Sequence, residues 1–122
     1  VSYENSRFDL FLQNKESQCF IETKSVTLVE DRVALFPDAP TSRGTKHVNG
    51  LIRAKQEGYR SAVVFIVQRE DVDKCRIQEE SDPDFYYALR DAMQYGVEVY
   101  AYSCRVSLSE IEITNRIPLA KL

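Results

Sequence analysis

Apolar and polar residues alternate in short segments over the early part of the chain, which is typical of β-strands. Residues 7–12 and 19–29 are rich in β-branched and aromatic side chains, and the polar residues 13–18 separate them. These segments predict a β-hairpin. Residues 30–31 are then a predicted tight turn, and residues 32–36 a short return strand.

A helical spacing of apolar residues follows a loop at residues 37–44 that is rich in Pro and Gly. Val48 and Leu51 are among the apolar residues that predict a helix over residues 45–57. Gly58 is a suitable residue at which this helix ends, because glycine readily adopts the left-handed conformation that terminates helices.

The second half of the chain alternates strands with helices. Either Ser81 or Asp82 is expected to cap the second helix. The predicted elements here are a central strand at 61–68 covered on both faces, a helix from Pro83 to Gly96, a strand at 97–106 and a short strand at 111–113.

The predicted order is β-β-β-α-β-α-β, in which a hairpin half precedes a βαβ half. This order indicates one α/β domain over residues 1–122, with a mixed β-sheet flanked by helices. The chain opens on Val1 directly in strand-like sequence, and we expect that its natural N-terminal part has been cut away.

Composition restricts the class of protein. Hydrophobic residues make up 43% and charged residues 29%, as in soluble globular proteins. No apolar run approaches the roughly 20 residues that cross a bilayer, and no secretory signal is visible. Three widely spaced cysteines without a C-x-x-C motif, and His47 as the only histidine, argue against a zinc site. We expect reduced, mostly buried thiols in a cytoplasmic protein.

Charge is distributed unevenly. The net charge of −3 argues against a purely electrostatic nucleic-acid binder. However, residues 42–60 contain five cations and one acid, whereas residues 70–84 contain seven acids and two cations. The first segment could contact phosphate, and the second could not. The alternative is that the net charges of the two helices differ by chance.

Two charged residues share a strand face with apolar ones. Side chains alternate along a strand, so Glu22 and Lys24 point the same way as Phe20 and Val26. Because these apolar neighbours indicate partial burial, the two charges need partners or a metal ion.

The hairpin brings a second acid to this face. If its turn is centred between Lys15 and Glu16, Asp9 lies directly opposite Glu22, with Cβ atoms about 4.5–5.5 Å apart. Two carboxylates that close need a cation between them, which is either Lys24 or a hard divalent ion such as Mg²⁺ or Mn²⁺.

Phosphodiester hydrolysis uses such a set. Asp9 and Glu22 would hold the metal, and Lys24 would stabilise the developing negative charge or help to deprotonate the attacking water. The bare spacing is common by chance, so a structural ion-pair network is the alternative.

Further residues have a functional and a structural interpretation. Arg43, Lys46 and His47 at a helix start could bind phosphate through their charge and the helix dipole, or form a solvated first turn. Asp38 is a candidate acid at the rim of the site or a turn residue between prolines. Gln68 could enter the site from the end of its strand or face solvent.

Several motifs resemble the sugar fermentation stimulation protein (SfsA) family. The matching segments are S-R-F-D at 6–9, E-x-K-S-V-T-L-V at 22–29, A-L-F-P-D-A-P-T-x-R-G-x-K-H at 34–47 and V-x-F-I-V-Q-R-E-D at 64–71. The resemblance implies a C-terminal domain of restriction-endonuclease-like fold with a PD-(D/E)xK centre. The motif acids fall on Asp9 and Glu22 and the motif lysine on Lys24, but Phe8 replaces the motif proline.

The same resemblance implies DNA binding and favours phosphate contact by Arg43, Lys46 and His47. It also implies that an N-terminal OB-like domain, the first core helix and much of the first strand of the fold are absent from this chain. That helix often adds an acid to the site, so the isolated fragment is expected to be incomplete.

Two hypotheses of different class follow. The first is a Mg²⁺- or Mn²⁺-dependent nuclease acting on DNA. The second is a DNA-binding regulatory protein of sugar metabolism that keeps the nuclease fold without turnover. No membrane partner or small-molecule cofactor is evident, and the sequence leaves open the choice between DNA and RNA and the oligomeric state.

Overall fold

The computed structural model describes residues 18–122 in full and residues 2–3, 6–7 and 10–13 by their backbone. Within these residues, six strands precede the first helix: β1 (Ser2–Tyr3), β2 (Ser6–Arg7), β3 (Leu10–Gln13), β4 (Gln18–Val26), β5 (Val29–Glu30) and β6 (Val33–Phe36). The later elements are α1 (Ser42–Gln56), β7 (Arg60–Val67), β8 (Lys74–Ile77), α2 (Pro83–Gln94), β9 (Glu98–Val106) and β10 (Ile111–Ile117).

A five-stranded sheet in the order β10-β9-β7-β4-β3 carries most of the fold. Strands β4, β7 and β9 are parallel, and β3 and β10 are antiparallel at the two edges. The predicted mixed α/β fold is therefore confirmed, and β7 is the central strand that its apolar run predicted. A smaller sheet has the order β5-β6-β8, and β1 pairs with β2.

Helices α1 and α2 pack against one another over one face of the large sheet. Each lies in a crossover between parallel strands, and the two crossovers run in the same direction across the sheet. Right-handed crossovers then place both helices on the same face. Beneath them lies a core that includes Phe65 and Val67 of β7, Leu51 of α1 and Leu89 of α2, all fully buried.

Helix α1 begins earlier than its apolar spacing predicts. Its N-cap is Thr41, whose hydroxyl accepts a hydrogen bond from Gly44 N at 3.0 Å, so the helix starts at Ser42 and the predicted start at Thr45 was wrong. A Cβ on Gly44 would stand 2.9 Å from Thr41 and 3.3 Å from the Phe85 ring. Glycine here therefore lets α2 approach the start of α1 closely.

One buried carboxylate joins the starts of both helices. Of the two caps that the sequence allowed for α2, the structure uses Asp82, whose Oδ1 accepts a hydrogen bond from Phe85 N at 3.1 Å. Its Oδ2 accepts a second bond from Thr41 N at 2.6 Å. The start of α1 is thus anchored to the start of α2.

Three strand predictions and one turn prediction differ from the structure. The predicted strand 7–12 falls on two strands, because Arg7 belongs to β2, which pairs with β1, and residues 10–12 belong to β3. The predicted strand 19–29 is two strands, because β4 ends at Val26 and β5 pairs with β6 in another sheet. The turn falls on Asp31 and Arg32, which have positive φ angles of 50° and 63°, one residue later than predicted. The final strand runs beyond residue 113 to Ile117.

Strand β8 lies in a segment for which the sequence predicted no element. Its buried residues Cys75 and Ile77 alternate with Lys74 and Arg76, and it pairs in parallel with β6. This alternation has the period of a strand, but it covers only four residues inside a polar stretch, so it was not recognised. The observed order therefore has a further strand between β7 and α2.

Candidate functional site

Strand β4 presents its two charged residues on the buried side of the sheet. Glu22 lies between Phe20 and Val26 on the face towards α1, and its exposed fraction is 4%. In the parallel ladder Glu22 pairs with Val63, which is fully buried. The predicted burial of this face is confirmed.

Helix α1 brings a third polar group to this pair. Glu22 Oε1 lies 3.1 Å from Lys24 Nζ and 2.9 Å from His47 Nδ1. The two nitrogens are 3.3 Å apart. An acid, a lysine and a histidine thus meet around one carboxylate oxygen, and we call these three residues the acid cluster.

Hydrogen-bond chemistry makes Lys24 a donor in these contacts. A carboxylate oxygen only accepts, so Lys24 donates to Oε1. His47 Nδ1 lies 2.9 Å from the same oxygen, and a protonated imidazole at that distance forms an ion pair with Glu22. With the other tautomer, Nδ1 accepts from Lys24 Nζ at 3.3 Å, because an ammonium only donates.

The second oxygen of Glu22 is bare. Oε2 is buried and has no hydrogen-bond partner among the residues that the structure describes. A buried polar atom without a partner costs about 1–3 kcal/mol, and more when it is charged. The acid cluster therefore leaves one anionic oxygen available to a cation.

The hairpin register supports the predicted position of the second acid, although Asp9 itself lies outside the described residues. Strands β3 and β4 pair Leu10 with Ile21 and Phe11 with Phe20, which is the register predicted from a turn centred between residues 15 and 16. The register is confirmed for these pairs. The position of Asp9 opposite Glu22 stays a prediction.

No group of three or more His, Cys, Asp or Glu side chains in the fully described part, residues 18–122, is placed to hold a metal ion. The predicted metal set needs Asp9 as well as Glu22. From the described residues alone, the acid cluster offers one free carboxylate oxygen to a metal.

The predicted phosphate-binding residues divide into two groups. Arg43 and Lys46 are exposed on the first turns of α1, as expected of side chains that meet a ligand from solvent. His47 is 7% exposed and belongs to the acid cluster. Its neighbours Val48 and Leu51 are fully buried and fix this face of the helix in the core.

The loop that leads into α1 is held from the second half of the chain. Gln78, which follows β8, donates its side-chain amide to Pro37 O at 2.7 Å and its backbone N–H to Phe36 O at 2.7 Å. Together with the bond between Thr41 and Asp82, these contacts set where His47 lies. Nothing in the sequence indicated a role for Gln78, and Asp82 was predicted only as a helix cap.

The two remaining candidates lie near the C-terminal end of β4. Asp38 is exposed and lines a small cavity of about 40 Å³ with Ser25 and Thr27. Gln68 donates to Ser25 Oγ at 3.3 Å. Because Ser25 points away from the α1 face, the structure groups Asp38 and Gln68 with the end of the strand, apart from the acid cluster.

The three cysteines are free and buried, as predicted. Burial raises the pKa of the Cys75 thiol to about 12, so this thiol stays protonated at neutral pH. In the described part of the chain, no helix has the length and apolar character needed to cross a membrane.

Fold and site together define a mixed α/β domain with a buried acid, lysine and histidine between an inner strand and the first helix. The family model described as the sugar fermentation stimulation protein RE domain matches residues 1–110. The chain belongs to this family, and it corresponds to the C-terminal domain.

Curated relatives agree with this assignment. The chain is 50% identical over 119 residues to a sugar fermentation stimulation protein homolog from Desulforamulus reducens, which covers 98% of the chain and 50% of that protein. It is also 50% identical over 116 residues to the homolog from Caldanaerobacter subterraneus, covering 95% of the chain and 51% of that protein. The chain spans about half the length of the curated relatives that it matches.

A solved structure shares the fold. It is described as Pyrococcus furiosus SfsA in complex with Ca²⁺, and it superposes with a TM-score of 0.91 at 31% sequence identity. The match covers 99% of this chain and 53% of that chain.

Proposed function

We propose that this chain is the catalytic domain of a Mg²⁺- or Mn²⁺-dependent phosphodiesterase that acts on DNA. The bare Oε2 of Glu22 carries the proposal. Inside a folded protein, an anionic oxygen without a donor is destabilising unless a cation binds to it. Lys24 does not fill this place, because its ammonium lies against the other oxygen.

Asp9 would supply the second metal ligand. The observed hairpin register, continued by one residue beyond Leu10, would pair Asp9 with Glu22. Carboxylate oxygens are the ligands that hard divalent cations prefer. The Ca²⁺ named for the Pyrococcus furiosus relative is such a cation, which supports the same ion class here.

Each residue would have a separate task in phosphodiester cleavage. A divalent cation on the carboxylates would polarise a phosphoryl oxygen and lower the pKa of a coordinated water. Lys24 is about 3 Å from Glu22 on a flexible side chain, so its ammonium could turn to the phosphate and stabilise the developing negative charge.

DNA would approach along the cationic side of α1. Arg43 and Lys46 are exposed near the helix start, close in sequence to His47 of the acid cluster. The positive end of the helix dipole adds to their attraction for a phosphate. Contacts of this type position the backbone without reading its sequence. The free buried thiols are consistent with action in the cytoplasm.

A DNA-binding regulator without turnover is the second candidate. The family description and the names of the relatives refer to stimulation of sugar fermentation and give no hydrolytic reaction. Such a protein would use Arg43 and Lys46 but would have no need for the bare oxygen of Glu22.

The deciding experiment incubates the full-length protein that contains this chain with end-labelled DNA and Mn²⁺ or Mg²⁺. We expect metal-dependent cleavage that Glu22→Gln reduces to background, because an amide cannot replace the anionic metal ligand. Glu80→Gln serves as the control, since Glu80 is an exposed acid paired with Arg76. Salt-sensitive binding without cleavage, unchanged or tighter in Glu22→Gln, would support the regulator instead.

A further inference from the structure

We propose that His47 is a positioning residue: by holding Oε1 of Glu22, it aims Oε2 at the metal ion. This role rests on the proposed metal-dependent function. His47 need not touch DNA or the metal for it.

The first support is the unequal use of the two Glu22 oxygens. The His47 imidazole and the Lys24 ammonium both lie against Oε1, at 2.9 Å and 3.1 Å, and Oε2 has no partner within the described residues. The terminal torsion of a glutamate has a broad, shallow preference, so the side chain alone does not fix which oxygen faces which way. Hydrogen bonds to one oxygen have to set the direction of the other.

The second support is the difference in stiffness between the two donors. Lys24 reaches Oε1 through four rotatable bonds, and it is the group that the proposed reaction draws towards the phosphate. His47 has two side-chain torsions and extends from a buried face of α1, beside Val48 and Leu51. The imidazole can therefore hold Oε1 while the Lys24 ammonium is engaged elsewhere.

The third support is the way in which His47 itself is held. The start of α1 is tied to Asp82 through Thr41 N at 2.6 Å, and the preceding loop is tied to Gln78 through Pro37 O at 2.7 Å. A rigid outer partner of a metal ligand is worth about 10–100-fold in metal affinity or activity. His47 has both the contact and the rigid support that such a partner needs.

The test exploits the two nitrogens of histidine. Asparagine places a side-chain N–H close to the position of Nδ1, whereas glutamine places its amide close to that of Nε2. We expect His47→Asn to bind Mn²⁺ nearly as tightly as the unsubstituted protein, and His47→Gln and His47→Ala to lose about 10–100-fold in affinity. Titration calorimetry with Mn²⁺ on the full-length protein measures the affinity, and cleavage rates should follow the same order.

Thermal unfolding without metal checks that the variants fold. If His47→Ala does not fold, the Asn and Gln variants still decide, because both carry an amide and differ in where they place it. Asn49→Gln is the matched control, since Asn49 is exposed on the same helix. Equal Mn²⁺ affinities in the Asn and Gln variants, whether retained or lost, would overturn the role of His47 and leave the metal-dependent function standing. Absence of Mn²⁺ binding by the unsubstituted protein would overturn both.

Discussion

The acid cluster and the surface ion pairs differ in how many oxygens of each carboxylate have a partner. Four acids near the surface each accept hydrogen bonds on both oxygens from a single guanidinium: Asp73 from Arg32, Asp71 from Arg69, Glu80 from Arg76 and Glu98 from Arg60. Glu22 is more deeply buried than any of them, yet Lys24 and His47 both lie against the same one of its oxygens.

This difference separates structural charge from functional charge. Water can hydrogen-bond to an exposed carboxylate, so complete pairing at the surface adds little to the free energy of unfolding. A buried acid needs complete pairing for stability, and incomplete pairing there indicates a task that a fully bonded carboxylate could not perform. The contrast can be tested by removing partners one at a time, first where the expected effect is largest.

Lys24→Met should have the largest effect. The substitution keeps much of the side-chain volume but removes the ammonium. The buried Glu22 carboxylate therefore loses its hydrogen bond from Lys24. We expect the free energy of unfolding without metal to fall by about 3 kcal/mol in urea titrations. The double variant Glu22→Gln with Lys24→Met should lose less than the sum of the two single variants. Strict additivity would show that the two charges are not coupled.

Glu98→Gln should have an intermediate effect that depends on pH. The hydrogen bond from Arg60 lowers the pKa of Glu98 to about 2 from its ordinary 4.5, against the opposing influence of desolvation. Because the folded-state pKa is the lower one, the stabilisation is present above about pH 4.5 and is lost as the pH falls towards 2.

Since Glu98 is partly exposed, we expect Glu98→Gln to lower the free energy of unfolding at pH 7 by about 1 kcal/mol. Urea titrations from pH 7 to pH 2 measure the difference, which should narrow below pH 4.5. A difference of constant size across that range would mean that the pair contributes through packing alone.

Arg69→Gln should have the smallest effect. Its partner Asp71 is two residues away on an exposed segment, and each of these side chains is more than two-fifths exposed. The arginine hydrogen bond lowers the pKa of Asp71, but water replaces the lost bonds when the arginine is removed. We expect an unchanged urea midpoint at pH 7, in low or high salt. A clear loss of stability would remove the distinction between surface and buried pairs.

Local pattern was enough to predict the faces of β4 and the register of the hairpin pairs that the structure describes. Alternation along residues 20–26 placed Glu22 and Lys24 with Phe20 and Val26, because a strand has a fixed period of two. Pattern was not enough at the end of β4. Residues 26–29 keep their β propensity, but their pairing partner changes, and a change of partner leaves no mark on the local sequence.

The inward position of His47 shows a second limit. The sequence placed it in the first turn of a helix starting at Thr45, among exposed cations. In the structure Thr41 caps the helix, so His47 lies in the second turn and shares a buried face with Leu51 four residues later. The predicted environment of His47 therefore depended on where α1 begins. Contacts at the cap, such as the hydrogen bond from Thr41 N to Asp82, set that position.

The carboxylate of Asp82 has a consequence for how the molecule could be divided. It accepts hydrogen bonds from Thr41, the N-cap residue of α1, and from Phe85 in the first turn of α2, although Thr41 and Asp82 are 41 positions apart. The start of the first helix is thus anchored by a residue that is translated after it. A truncated polypeptide ending before residue 82 would contain the acid, the lysine and the histidine, but it would lack the hydrogen bond that anchors the start of the helix carrying the histidine.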